Sequence, residues 1–257
     1  MVGRSEQYIE SVETSFNVIE YLAERGPAGV SEIADGISRP KSTVHVHLQT
    51  LVNQKAVVHR GDQYDIGLRF LQLGGQARRR QEIYRAAEQE VDRLAEETEE
   101  AAHLGVEQDG QRVVLYKAER GDAVYDNTPT GEFTNMHWTA IGKALLAHLP
   151  EARIHEIVDR HGLPEATRNT ITDVDALFAD LEASRDRGYT VEDEERREGV
   201  VAVAVPVFDI DADAVIAALS VSGPRERIRT DGDIRPDIIE AVRNRANVAE
   251  LLYNHYR

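Results

Sequence analysis

Between Val30 and Asp65 the chain reads VSEIADGISRPKSTVHVHLQTLVNQKAVVHRGDQYD, a succession of signals that few folds accommodate. Ser31 is placed to N-cap a short helix with Ile33, Ala34 and Ile37 on one face, loosened at its end by Gly36. A break at Ser38-Arg39 follows, and Pro40 suits the first position of a second helix, where its missing N–H costs nothing. In that helix Val44, Leu48, Leu51 and Val52 recur at i, i+4, i+7 and i+8 as an apolar stripe. At about 100° per residue, the opposite face carries Ser42, His45, Val46, Gln49 and Asn53. Val57-Val58 and the run from Tyr64 to Leu68 flank Arg60-Gly61-Asp62, which reads as a tight hairpin turn. Helix, short break, helix and hairpin make the winged form of the helix-turn-helix.

The competing reading is a helical subdomain of an enzyme that happens to end in a hairpin. A solvated helix face normally mixes Glu and Lys, whereas this one is made of short polar groups, which favours contact with DNA. Val46 then meets a thymine methyl in the major groove and Gln49 an adenine edge. Lys41 and Arg60, at the helix start and on the wing, fix position through phosphates. The alternative for Val46 is packing against the hairpin.

Upstream, Val12, Phe16, Ile19 and Ala23 mark an amphipathic helix from about Ser11 to Glu24, expected to floor this module and to stop at Gly26-Pro27. Downstream, two helices are expected, broken near Gly74-Gly75. The first, with Leu68, Leu71 and Leu73, joins the domains; the second carries Ile83, Ala87, Val91, Leu94 and Ala95. Arg78-Arg79-Arg80 reads as a solvated face more readily than as a phosphate contact. From Ala101 the period shifts towards two: HLGVEQ and RVVLYKAE pair around Asp109-Gly110, followed by AVYDN. Helices are expected over 139–148, 151–161 and 173–187, the last opened by a capping box of Thr172 with Asp175. The strands VVAVAVPVFDI and AVIAALSVSG and a helix containing Ile238, Val242, Ala249 and Leu252 close the chain. The pattern is a multidomain α+β protein, its second part a largely antiparallel sheet covered by helices. The expected division is 1–67 for the winged module, 68–82 for a linker helix and 83–257 for the sheet domain.

Composition narrows the chemistry. Without cysteine there are no disulfides, zinc-thiolate sites or cysteine nucleophiles. MVGRSEQYIE has no apolar leader core, and no run approaches the ~20 residues of a membrane span. A soluble, cytoplasmic protein without membrane partners is expected. The formal net charge of −16 is unevenly spread: residues 1–80 hold ten Arg/Lys and nine Asp/Glu, a net of +1, and the remainder holds twenty against thirty-seven. Only four lysines stand beside twenty-six arginines. High carboxylate with little lysine points to a proteome adapted to high salt, where self-repulsion is screened.

An enzymatic reading finds little support. Ser220, His137 and Glu192 form a conceivable hydrolase constellation, yet no G-x-S-x-G elbow surrounds Ser220 or Ser222. Gly142-Lys143 is no phosphate loop, because His137 stands where that motif requires Gly. His155-Glu156 lacks a second histidine, and His45 and His47 point to different faces. No catalytic residue, metal or cofactor is expected.

PKSTVHVHLQTL, YDIGLRFLQLG, HWTAIGKALLA, GYTVEDEERREG and PVFD…AALSVSGP, in this order and spacing, resemble the IclR family of transcription regulators over nearly the whole chain. The resemblance implies a winged helix-turn-helix, a linker helix and a GAF-like effector-binding domain, acting as a dimer or dimer of dimers on a double-stranded operator. The candidate DNA-contacting residues are Lys41, Ser42, Thr43, His45, Val46, Gln49 and Arg60, with Val46 at a frequently basic position. The implied effector site comprises Met136, Thr139, Ala140, Ile141, Glu192, Ala202, Ser220 and Ser222. Backbone N–H groups at the helix start by Thr139 suit the carboxylate of a small organic acid. The chain departs from the family pattern in having Ala202 for a pocket cysteine and Asn135-Met136 before His137. An effector-independent interaction module is the alternative; it predicts a filled core behind Ser220 and Ser222.

Overall fold

The structure, a computed structural model, describes residues 9–120 and 128–255. The chain forms two compact units that divide between Ala77 and Arg78.

The first unit begins with α1 (Glu10–Arg25), α2 (Val30–Gly36) and α3 (Lys41–Asn53). The hairpin of β1 (Val57–Arg60) and β2 (Gln63–Ile66) follows. Its core gathers Val18, Leu22, Ile33, Val44, Leu48, Val57 and Tyr64, each fully buried apolar side chain contributing about 1.5–3 kcal/mol. The α3 stripe lies as its spacing predicts. The phase of α1 does not. Thr14, Val18 and Leu22 face the core, while Val12 and Phe16 are 51% and 56% exposed. Thr14 can turn inward because its hydroxyl donates to the Glu10 carbonyl at 2.9 Å, which leaves its methyl for packing.

Three local expectations also shift. Ser31 caps nothing; α2 starts after Gly29, whose N–H donates to the Glu32 carboxylate at 2.8 Å. Pro40 stands one residue before α3, its carbonyl accepting from Val44 N at 3.1 Å. Arg60 pairs with Gln63, so the turn is Gly61-Asp62 alone, with Gly61 at φ +65°. The helix α4 (Arg69–Arg79) then runs through Gly74-Gly75 without a break. Gly in a helix interior costs only ~1 kcal/mol, and the expected break comes at Arg80-Gln81, just before α5 (Glu82–Thr98).

In the second unit six strands form one antiparallel sheet. These are β3 (Ala101–Gln108), β4 (Gln111–Ala118), β5 (Phe133–Asn135), β6 (Thr190–Asp193), β7 (Val200–Asp209) and β8 (Ala214–Pro224), in the order β5-β4-β3-β8-β7-β6. Asp109 and Gly110, both at positive φ, turn β3 into β4. The expected AVYDN segment lies outside the described residues.

Alternation along β7 and β8 divides the domain into two layers. Val201, Val203, Val205, Leu219 and Val221 point to one face and pack with α5 and with α10 (Pro236–His255). Ala202, Ala204 and Ala218 point to the other, under α6 (Ala140–Leu146), α7 (Glu151–His161) and α8 (Val174–Arg187). Successive strand residues face opposite sides, so a valine–alanine alternation builds one thick layer and one thin one. α6 settles close on the thin side: a Cβ on Gly105 would lie 2.8 Å from Ile141 Cγ2. Asp173, not Thr172, caps α8 by accepting from Ala176 N at 2.9 Å. A short helix α9 (Arg225–Ile228) and a small hairpin, β9 (Arg229–Thr230) with β10 (Asp233–Ile234), precede α10. Among the described residues no helix is long and apolar enough to cross a membrane.

Candidate functional site

On α3, Lys41, Ser42, His45, Val46 and Gln49 are exposed and Thr43 is half-buried; Arg60 is exposed on the hairpin. Val46 is 60% exposed, so it does not pack against the hairpin. His45 Nε2 lies 3.0 Å from the Gln49 side-chain amide, the i,i+4 neighbour on the same face. His47, by contrast, turns back to Ser15 of α1 at 2.8 Å. The outward face is a continuous patch of small donors and acceptors with one apolar side chain in it.

In the second unit a cavity of about 50 Å³ lies between α6 and the thin face of the sheet. The strand register explains who lines it. Ala202 stands opposite both Ser222 and Glu192, one line across β8, β7 and β6. Ser220, two residues along β8 and hence on the same side, stands opposite His103 of β3. Thr139, Ala140 and Ile141 form the roof. Thr139 caps α6, its Oγ1 accepting from Gly142 N at 3.0 Å. First-turn amides of any helix lack intrahelical acceptors, which makes this end of α6 a donor-rich wall.

Seven of the eight expected effector residues meet here. Met136 does not. It is buried in the helical core beside α6, because Gly142 rides directly on its backbone: a Cβ there would lie 2.1 Å from the Met136 carbonyl. His137 is also absent from the wall; its Nε2 sits 3.1 Å from the Pro164 carbonyl and burial lowers its pKa. The hydrolase constellation of Ser220, His137 and Glu192 is therefore not assembled around this cavity.

The wall adds His103, Arg112, Thr128, Arg196, Arg197 and Val200, none expected from the sequence. Arg196-Arg197 was at least within reach of inference, since it lies inside the GYTVEDEERREG motif. Arg112 and His103 are read only through strand pairing. Arg196 donates to Thr128 Oγ1 at 3.0 Å and to both Glu132 oxygens at 2.8 and 2.9 Å. Arg112 donates to Glu132 Oε2 at 3.2 Å. Glu132 directly precedes β5 and Arg196 follows β6, so this chain of ion pairs spans the two opposite edges of the sheet.

The loop after β6 is held from below. Lys143 of α6 is fully buried and donates to Glu195 Oε1 at 2.6 Å, with Asp180 Oδ2 at 3.1 Å. Thr170 Oγ1 donates to the Glu195 carbonyl at 2.6 Å. Glu192 Oε1 in turn accepts from Glu195 N at 2.9 Å and Arg196 N at 3.2 Å. Burial nevertheless dominates and pushes the Glu192 carboxyl up to about 8, assisted by the charge of Glu195 and opposed by these N–H groups and Lys143. At neutral pH Glu192 is a neutral hydrogen-bond donor or acceptor, and the wall also carries Arg112, Arg196 and Arg197.

Two family patterns match the chain: "IclR helix-turn-helix domain" over residues 11–61 and "Bacterial transcriptional regulator IclR C-terminal" over residues 75–249. The chain belongs to the IclR family. It is 29% identical to the Halobacterium salinarum "Probable HTH-type transcriptional regulator ArcR" across 95% of this chain and 93% of that one. Crystals of the Thermotoga maritima IclR superpose with a TM-score of 0.81 at 26% identity, covering 96% of this chain and 100% of that one. An IclR homologue from Microbacterium hydrocarbonoxydans, solved in complex with 4-hydroxybenzoate, has the same fold (TM-score 0.79, 24% identity, 95% and 98% coverage). This IclR-family chain is thus a DNA-binding transcription regulator, built as a helix-turn-helix module joined to an effector-domain fold.

The state of Glu192 has a pH signature. Unfolded, the carboxyl ionises near its ordinary 4.5; folded, it stays protonated to about 8. The unfolded chain therefore binds fewer protons across that window, and stability falls as pH rises from about 4.5 to about 8, then levels. Glu192→Gln should flatten this decline in urea unfolding measured from pH 5 to 9. Equal slopes for variant and wild type would contradict the assignment.

Proposed function

We propose that this regulator's operator affinity is set by a small organic acid bound between α6 and the alanine–serine face of the sheet. The observation that carries this reading is the half-open cavity behind Ser220 and Ser222, mostly apolar in surface with a few polar groups in its wall, where an effector-independent module would have a filled core. Its size supports a compact ligand: at ~10–15 Å³ per water on this measure, about 50 Å³ holds a handful of waters or a short-chain acid. Ser220 and Ser222 donate to the ligand, the start of α6 receives its carboxylate, and protonated Glu192 adds a donor without charge repulsion. The net charge of the domain is adverse, so attraction is local. That 4-hydroxybenzoate occupies the Microbacterium homologue agrees with an acidic effector.

Binding that favours one arrangement of the protein shifts DNA affinity by the difference in binding energy, typically ~1–3 kcal/mol. Exposed Leu68, Leu71 and Leu73 on and beside α4 favour a homodimer built through that segment, acting in the cytoplasm on a two-fold symmetric operator. The excess of arginine over lysine fits a halophilic setting, like that of the Halobacterium relative.

Two measurements test the reading. In calorimetry against keto, aromatic and sugar acids, Ser220→Ala combined with Ser222→Ala should weaken any hit at least tenfold; unchanged affinity would misplace the site. On DNA, at molar salt the Debye length falls to ~3 Å, so recognition rests on close contacts. Replacing each operator thymine by uracil should weaken the wild type at one position in each of two half-sites. Val46→Ala should be indifferent there. No position with such coupling would make the valine structural, and a single sensitive position would argue against the dimer.

A further inference from the structure

The two histidines of α3 are engaged differently. His47 turns back to Ser15 and ties α3 to α1. His45 stays on the outward face, where its Nε2 lies 3.0 Å from the side-chain nitrogen of Gln49, one turn along the helix. An amide nitrogen can only donate a hydrogen bond. Nε2 of His45 therefore accepts it, which puts the ring proton on Nδ1. Both residues are exposed, and among the described residues Gln49 makes no other hydrogen bond.

At about 100° per residue, Gln49 stands about 40° round the helix from His45 and about 60° from Val46 on the other side, near the middle of the exposed face. A glutamine amide has two orientations, related by a half-turn, that exchange its N–H and its oxygen with little change of shape. Turned over, the Gln49 oxygen would face the lone pair of Nε2, so reversal requires the ring to move its proton from Nδ1 as well. Held as it is, the amide has one N–H and its oxygen left. An adenine edge offers N7 as acceptor and the N6 amino group as donor, which match that pair in one order only. In the reverse order oxygen meets N7 and N–H meets the amino group, and both contacts repel.

We propose that His45 is a specificity-determining residue that acts through Gln49, fixing its side-chain amide so that the remaining N–H and oxygen reach an adenine edge as an ordered pair. The proposal rests on the reading of Gln49 as an adenine contact and adds the residue that makes this contact selective. A free amide turns over to suit a different base. A held one cannot do so without losing its bond to His45, so the wrong base meets a mismatch. Ordering a rotamer-rich side chain beforehand also removes a cost that would otherwise fall on the complex. One hydrogen bond on an exposed helix face adds little to folding, so the effect shows in base choice and not in stability.

The test is selection of binding sites by the full-length protein from random-sequence DNA, followed by titration of the selected site and its single-base variants. Wild type should prefer adenine by about tenfold or more at one position per half-site, and Gln49→Ala should lose that preference. His45→Leu, which keeps bulk but not the acceptor, should cut the same preference about threefold to tenfold and leave other positions within about twofold. His45→Gln, whose side-chain oxygen can accept the same bond, should restore it to within about twofold of wild type. If Gln49→Ala changes no position, the adenine reading falls and this proposal with it. If Gln49→Ala abolishes a preference that His45→Leu leaves intact, only this proposal falls. Equal weakening at every position by His45→Leu, a change at a position other than that of Gln49, or failure of His45→Gln to rescue would also overturn it, because His45 would then serve the fold or touch DNA itself.

Discussion

What the effector domain depends on is the difference in side-chain volume between the two faces of β7 and β8. Valines and leucines on one face pack against α5 and α10. Alanines and serines on the other cannot fill the space to α6, and Gly105 lets that helix sit lower still. A period-two alternation of large and small residues thus creates a packed layer and a hollow one from the same strands. Enlarging the small face would fill the cavity; shrinking the large face would empty the core, at ~2–5 kcal/mol per Leu- or Ile-sized truncation.

The hollow layer is lined with charge that has been taken out of water, and each charged group is answered locally. Lys143 lies between Glu195 and Asp180, and removing one member of such a buried pair typically costs ~3–5 kcal/mol. Glu192 is answered differently, by keeping its proton. Arg112 and Arg196 share Glu132. These contacts all converge on the loop after β6, so the residues that would touch a ligand are tied to α6, to α8 and to the opposite edge of the sheet. On the proposed reading, a small acid that fills the cavity would perturb that whole set together.

Much of this was legible in the sequence, for stated reasons. The α3 stripe, the Asp109-Gly110 turn and the alternation in VVAVAVPVFDI are local periodicities, and they survive folding because local geometry decides which side a residue faces. The phase of α1 was misread because Val12 and Phe16 are apolar and Thr14 is not; hydrophobicity alone does not reveal a threonine whose hydroxyl is satisfied by its own helix. Gly74-Gly75 reads as a break, yet a cost of ~1 kcal/mol is too small to end the helix. Thr172 and Asp173 are adjacent cap-competent residues, and the helix starts after the second. Met136 has site residues as its neighbours in the motif, but the tight contact with Gly142 holds it in the core. Arg112 and His103 are invisible in the sequence because strand order, not sequence distance, brings them to the wall.

The proposed function requires that one cavity and one DNA-contact face be thermodynamically linked. The direct measurement is the affinity of full-length protein for its operator with and without a saturating concentration of the tightest-binding acid, together with the affinity for that acid with and without operator. Linkage predicts a change of at least about fivefold in the first, matched by the same factor in the second. An acid that binds in the cavity yet leaves operator affinity unchanged would show that the two sites are not linked.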